Sequence, residues 1–258
     1  MCLLLFSYRR HPRYRLLAAA NRDEFYERPT APAAFWPKRP DVLAGRDLRS
    51  GGTWMGITRT GRFAALTNYR DPALHVSGAP SRGGLVSGFL TGDCPVRRYM
   101  ETVASGADRY NGFNLLAADA ENLYYFGNRG NGVVRLSRGI YGLSNHLLDT
   151  PWPKVVEAKD ALFAQFTGEE PFDPEAVFAA MADRSRPPDH RLPDTGMGIE
   201  WERILSSRFI TSEIYGTRSS TVLAVEQKGT VRFLERTFTN GRKGQTRSFS
   251  FHIERLSE

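Results

Sequence analysis

The sequence predicts an α+β protein of two stacked, mainly antiparallel sheets with helices outside them. Three observations carry this expectation. Short apolar, strand-like runs cluster at both ends of the 258-residue chain. Three- and four-residue spacing of apolar side chains, the mark of amphipathic helices, is confined to the middle. Glycine-containing turns separate the closing strands, as antiparallel hairpins require. A two-layer α+β fold with one sheet uncovered would show the same order of elements, and patterning does not separate the two. Residues 1–258 read as a single domain, long enough to bury one large core.

The elements follow in order. Leu3 to Tyr8 and Tyr14 to Asn21 read as two apolar strands joined by the polar turn Arg9-Arg10-His11-Pro12-Arg13. Residues 25–50, rich in proline and arginine, read as a long irregular excursion. Gly51-Gly52-Thr53-Trp54-Met55-Gly56-Ile57 is a glycine-punctuated turn entering a strand, and Phe63 to Thr67 is another strand. Residues 81–108 place Leu85, Val86, Phe89 and Leu90, then Val96, Tyr99, Met100 and Val103, at helical spacing. Phe113 to Ala118, Leu123 to Phe126 and Gly132 to Leu136 form a meander. Trp152 to Phe166 is a helix with proline in its first turn. Asp173 caps a second helix that runs to about Ala182. Residues 184–200, full of proline and charge, read as a loop. Ser220 to Glu226, Thr230 to Thr237 and Arg247 to Ile253 close the chain as strands, split at Lys228-Gly229 and Asn240-Gly241.

Composition narrows the function. Apolar content of 41% and charged content of 24% are those of an ordinary globular protein and exclude broad disorder. The net charge is +7, from 35 basic and 28 acidic residues. The basic residues are scattered, and no aromatic-interleaved basic stripe marks a nucleic-acid site. An anionic small-molecule partner fits this charge without being required by it. The two cysteines, Cys2 and Cys94, make neither a disulfide framework nor a structural zinc site. No apolar run approaches the ~20 residues of a membrane helix. The five apolar residues after Met1 are too few for a secretory signal. A cytoplasmic protein without membrane insertion is expected. The histidines are dispersed, so no metal site is expected.

Chemistry gathers at the strand ends. Removal of Met1, usual before a small residue, would leave Cys2 with a thiol and a free α-amine on one residue. Such a residue can be its own nucleophile and base. A small core hydrophobe is the competing reading of a cysteine in an apolar strand. Asn21-Arg22-Asp23-Glu24 leaves the second strand abruptly after Leu16-Leu17-Ala18-Ala19-Ala20. With a period of two, Asn21 and Asp23 share one face and Arg22 and Glu24 the other. A hairpin of the first two strands brings Asp23 beside Cys2, where a carboxylate would hold an ammonium and tune its pKa. Asn68 and Asn145 also end apolar strands, and a carboxamide is a suitable oxyanion donor. Arg218 could clamp a carboxylate or steer Asp23. His146 reads as a polar strand-end residue before it reads as a base.

These motifs resemble a known family. Cys2, Asn21-Arg22-Asp23-Glu24, Gly52-Thr53-Trp54-Met55-Gly56, Leu66-Thr67-Asn68-Tyr69-Arg70, Ser81-Arg82-Gly83, Asn111-Gly112-Phe113-Asn114-Leu115, Gly142-Leu143-Ser144-Asn145, Pro151-Trp152-Pro153-Lys154 and Tyr215-Gly216-Thr217-Arg218 look like the NRDE protein family. That family is also called the transport and Golgi organisation protein 2 family. It is distantly similar to N-terminal nucleophile (Ntn) hydrolases of the cholylglycine hydrolase and penicillin V acylase type. The resemblance implies an αββα sandwich. It implies Cys2 as nucleophile, Asp23 orienting the amine, Asn68 lining the oxyanion hole with Asn145 as a later partner, and Arg218 near the final strands. Asn21, Arg22, Trp54, Tyr69 and His146 are the expected substrate contacts. The acylases keep an arginine shortly before that aspartate. Here Leu17-Ala18-Ala19-Ala20 fills the stretch, and Arg22, the nearest substitute, points to the other face.

Two functions follow. One is a hydrolase or acyltransferase acting on a small amide or ester without a cofactor. The other is a binding protein, since the resemblance links eukaryotic relatives to haem mobilisation and to lipid or acyl-CoA homeostasis. On that view the cleft carries haem or an acyl-CoA as cargo. A purely structural module would leave the polar strand ends without a purpose.

Overall fold

The computed structural model describes residues 2–254. The expected removal of Met1 concerns a residue outside that span. One sheet contains β1 (Cys2–Tyr8), β2 (Tyr14–Phe25), β10 (Gly139–Leu143), β11 (Tyr215–Glu226), β12 (Thr230–Thr239) and β13 (Arg242–His252), in the order β10-β1-β2-β11-β12-β13. The other contains β3 (Thr30–Trp36), β4 (Arg39–Asp47), β5 (Met55–Thr58), β6 (Phe63–Asn68), β7 (Phe113–Ala118), β8 (Leu123–Gly127) and β9 (Val134–Arg135), in sequential order. Every pairing within both sheets is antiparallel.

Three apolar layers hold the sandwich together, and strand alternation explains each. Leu4, Phe6, Ala18, Leu223 and Phe233 face Met55, Ile57, Phe63 and Leu116 between the sheets. The alternate residues Leu3, Leu5, Leu17, Ala19 and Val222 point outward, beneath α3 (Pro153–Thr167) and α4 (Pro174–Met181). On the far side α1 (Gly83–Thr91) and α2 (Val96–Ser105) cover Ala64, Leu66, Leu115 and Ala117. Both sheets are therefore covered, which decides for αββα over an uncovered sheet. β1 and β2 are central strands buried on both faces, so their sequences are continuous apolar runs rather than alternating ones.

Three local rules read from the sequence hold. The Asp173 carboxylate accepts from Glu175 N–H at 2.9 Å and caps α4. Pro153 opens α3. Asn240 and Gly241 both have positive φ, 48° and 73°, as a tight hairpin turn demands. Two readings are corrected. Residues 25–50 contain the β3–β4 hairpin. Pro32 is tolerated because β3 is an edge strand and its register slips between Ala31 and Ala34. Residues 184–200 contain a 3-10 turn, Asp189–Arg191, and the start of the seven-residue α5 (Ile199–Leu205), both too short to show periodicity.

Leu17→Ala, inside the layer beneath α3, should cost about 2–5 kcal/mol in urea unfolding, whereas Asp173→Ala should cost only about 1. Equal losses would contradict this layering.

Candidate active site

The polar ends of β1, β2 and β6 meet at one end of the sandwich. β1 pairs with β2 so that Cys2 lies opposite Arg22. Residues directly opposite share a face, so Arg22 and Cys2 point together into the space between the sheets. Arg22 does point away from Asp23, as alternation requires, but its direction is that of the thiol. Its guanidinium lies 4.2 Å over the Trp54 ring, and Nη1 donates to Thr30 Oγ1 at 3.1 Å. A cavity of about 380 Å³ opens there, with Cys2, Arg22, Asp23, Glu24, Trp54 and Asn68 in its wall. Arg28, Asp47, Arg82 and the loop from His75 to Ser81 complete it.

The chain around this cavity is tightly set. A Cβ on Gly52 would lie 2.5 Å from the Gly83 carbonyl carbon, so only glycine lets the 50–54 loop meet the start of α1. That contact brings Trp54 and Arg82 to the same opening.

Asp23 is 1% exposed, and its Oδ1 accepts from Thr217 Oγ1 at 2.7 Å. Tyr215 donates to the Asp23 main-chain carbonyl at 2.8 Å. Burial raises the Asp23 carboxyl to about 6 against the pull of nearby cations, Lys154 and Arg22 among them. Lys154, at 3% exposure, donates to the Leu205 carbonyl, and burial lowers its ammonium to about 8. Cys2 as a residue is half-buried. Burial pushes its pKa up, while Arg22 and a hydrogen bond from the Asp23 main-chain N–H work the other way.

The remaining candidates stand outside the cavity wall. Asn145 donates to the Asn68 carbonyl at 2.8 Å, tying the end of β10 to the end of β6 and so one sheet to the other. Asn21 donates to the Met181 and Arg208 carbonyls and accepts from Ser220 Oγ, a structural pin between β2 and the helical layer. Tyr69 Oη, His146 and Thr150 form a hydrogen-bonded chain, with burial lowering the His146 pKa. Arg218 falls at a slip in register between Thr217 and Ser219, which turns it toward the Phe25 and Arg28 carbonyls.

Sequence reasoning quoted Thr217, Lys154 and Arg82 only as motif residues without a role, and missed Arg28. One signal for Lys154 was available. A lysine in the first turn of a helix opposes the macrodipole, so its place there needs another reason.

Residues 1–240 match the profile of the family described as Transport and Golgi organisation 2. The chain belongs to that family. The Transport and Golgi organization protein 2 homolog of Bos taurus is 37% identical over 276 residues, spanning 98% of this chain and all of the relative. The Homo sapiens homolog is 36% identical with the same coverage. A solved structure, the conjugated bile acid hydrolase of Clostridium perfringens, is similar with a TM-score of 0.49 at 9% identity over the whole of both chains.

A pH test follows from Asp23. Its folded-state pKa of about 6 lies above the ordinary 3.8, so the folded protein holds this proton more tightly than the unfolded chain. The resulting stability is fully present below the unfolded value and is lost as pH rises through the folded one. Asp23→Asn cannot ionise. Between those pH values it should gain up to about 3 kcal/mol on wild type in urea unfolding. Parallel stability–pH curves would mean that Asp23 titrates as an exposed carboxyl.

Proposed function

We propose that this protein is an N-terminal-cysteine hydrolase or acyltransferase acting on the amide or ester bond of a small molecule in a reducing, cytoplasmic compartment. The observation that carries the reading is the thiol of Cys2 in the wall of a polar cavity that Asp23 and Asn68 also line. With Met1 removed, the α-amine of Cys2 takes the thiol proton, which matters because burial holds the thiol protonated at neutral pH. The sulfur attacks the substrate carbonyl carbon. Asn68 donates to the developing oxyanion, and Asn145 fixes the strand end that carries it. Collapse breaks the C–N or C–O bond. The leaving group departs with the proton from the α-ammonium, which Asp23 steadies. Water or an acceptor alcohol or amine, deprotonated by the same amine, then attacks the thioester and frees the thiol. Trp54 and Arg22 bound the substrate side.

A second reading keeps the cavity and drops the chemistry. Arg22, Arg28 and Arg82 around one cavity fit an anionic cargo such as haem or an acyl-CoA. Retention of Met1 would favour it, because the base would then be acylated.

Intact mass should show loss of Met1, then a covalent adduct on Cys2 with an acylating ester probe. Cys2→Ser should abolish the adduct, while Asp23→Asn should slow its formation by about a hundredfold through lost orientation. Labelling of Cys94 as fast as Cys2 would sink the enzyme reading. A shift in haem absorbance or in melting temperature with acyl-CoA, on a protein that forms no adduct, would support cargo binding.

A further inference from the structure

The cavity wall holds three arginines and three carboxylates, so its charges balance in number but not in pairing. Arg28 is spent on Asp47 at 2.5 Å and on Glu24 at 3.7 Å. Arg22 lies against Trp54 and 4.0 Å from Glu24. The Asp23 carboxylate is hydrogen-bonded to Thr217 and sits in the field of Lys154. Arg82 differs from these. Its Nη1 donates to the Gly112 carbonyl at 2.9 Å, and among the described residues no carboxylate lies within ion-pair distance of it.

A guanidinium offers five N–H donors in a planar fork and stays charged at any ordinary pH. Burial without an adjacent carboxylate pulls the Arg82 pKa down, which marks a cation short of counter-charge. Arg82 is close enough to Cys2 for the two charges to interact, and both face the same cavity. It immediately precedes the nine-residue helix α1, whose first turn contains no acidic residue, so the helix dipole adds to the positive potential rather than cancelling it. Direct opposition from Glu24 is blunted because that carboxylate already faces Arg22 and Arg28.

We propose that Arg82 forms an anion subsite in the Cys2 cavity, and that the molecule bound there bears a carboxylate or phosphate group. Together with the hydrolase reading, on which this second half rests, it makes the substrate a small anionic amide or ester. Its charged group seats on Arg82 while its carbonyl meets the thiol. The fork binds carboxylate or phosphate oxygens in pairs, which orients the substrate as well as attracting it. A cavity of about 380 Å³ limits it to a small molecule, or to the reactive end of a larger one.

The test compares alkylation of Cys2 by anionic iodoacetate and neutral iodoacetamide, with Cys94 as internal reference. The iodoacetate preference at Cys2 should exceed that at Cys94 by about tenfold, the worth of one charge-assisted hydrogen bond. Arg82→Gln should remove the preference; loss of the nearby cation lowers the thiolate fraction and slows both reagents alike, which cancels in the ratio, and Arg82→Lys should retain most of the preference. Inorganic phosphate and succinate are added as competitors, and the one that abolishes the preference at lower concentration identifies the anion. A preference that survives in folded Arg82→Gln overturns the proposal. If that variant does not fold, wild type decides, since failure of both anions to compete overturns it equally. Calorimetric titration of the same two anions does not depend on the thiol. Absence of heat from both at millimolar concentration also overturns the subsite. A protein that shows the anion preference but never forms an acyl-Cys2 adduct would instead overturn the hydrolase and leave the subsite standing.

Discussion

Asp23 is a carboxylate buried near the end of one of the two central strands, and much of the surrounding structure is arranged around that cost. An unpaired buried charge is expensive, so the fold surrounds it with a hydroxyl from β11 and an ammonium from α3. These partners fix the register of β11 on β2, since Thr217 must fall opposite Asp23. They also explain Lys154, which gives up its usual solvent shell to lie in the first turn of α3. Even so, the carboxyl pKa stays raised, so the compensation is partial. Strain of this kind is more readily accounted for at a working site than in a core.

The same strand sorts its side chains into two environments. Asn21 faces the helical layer, where it is consumed in pinning α4 and the chain after α5, whereas Asp23, nearer the strand end, also reaches the wall of the Cys2 cavity. Arg22 faces the inter-sheet cavity with Cys2. The tetrapeptide that looks like one polar cluster in sequence is therefore divided: Asn21 is structural, and the other three reach the cavity wall from both sides of the strand.

This division explains what was legible in sequence. The strand hairpins, the capped helix after Asp173 and the proline-led α3 could be read because each depends on neighbours within a few residues. So could the meeting of Cys2 with the end of β2, which follows from one hairpin. Asn145, Tyr69, His146 and Arg218 could not be placed, because their roles depend on contacts between distant segments or on a slip in register. Asn145 spends its amide on a carbonyl 77 residues away. Arg218 is turned outward by an irregularity that no pattern of residue types announces. The β3–β4 hairpin was obscured because proline and arginine suit an edge strand as well as a loop.

A thiol whose pKa is raised by burial is a poor nucleophile until a base reaches it, and Arg22 offsets only part of that penalty. Reactivity at Cys2 thus depends on whether the base is its own amine, a matter of chain processing rather than of the fold. The cavity, by contrast, exists in either case, and so does Arg82 in its wall, which no carboxylate among the described residues meets at ion-pair distance. On the two proposals above, anion binding asks only for the cavity wall, whereas acyl transfer asks in addition for a free α-amine.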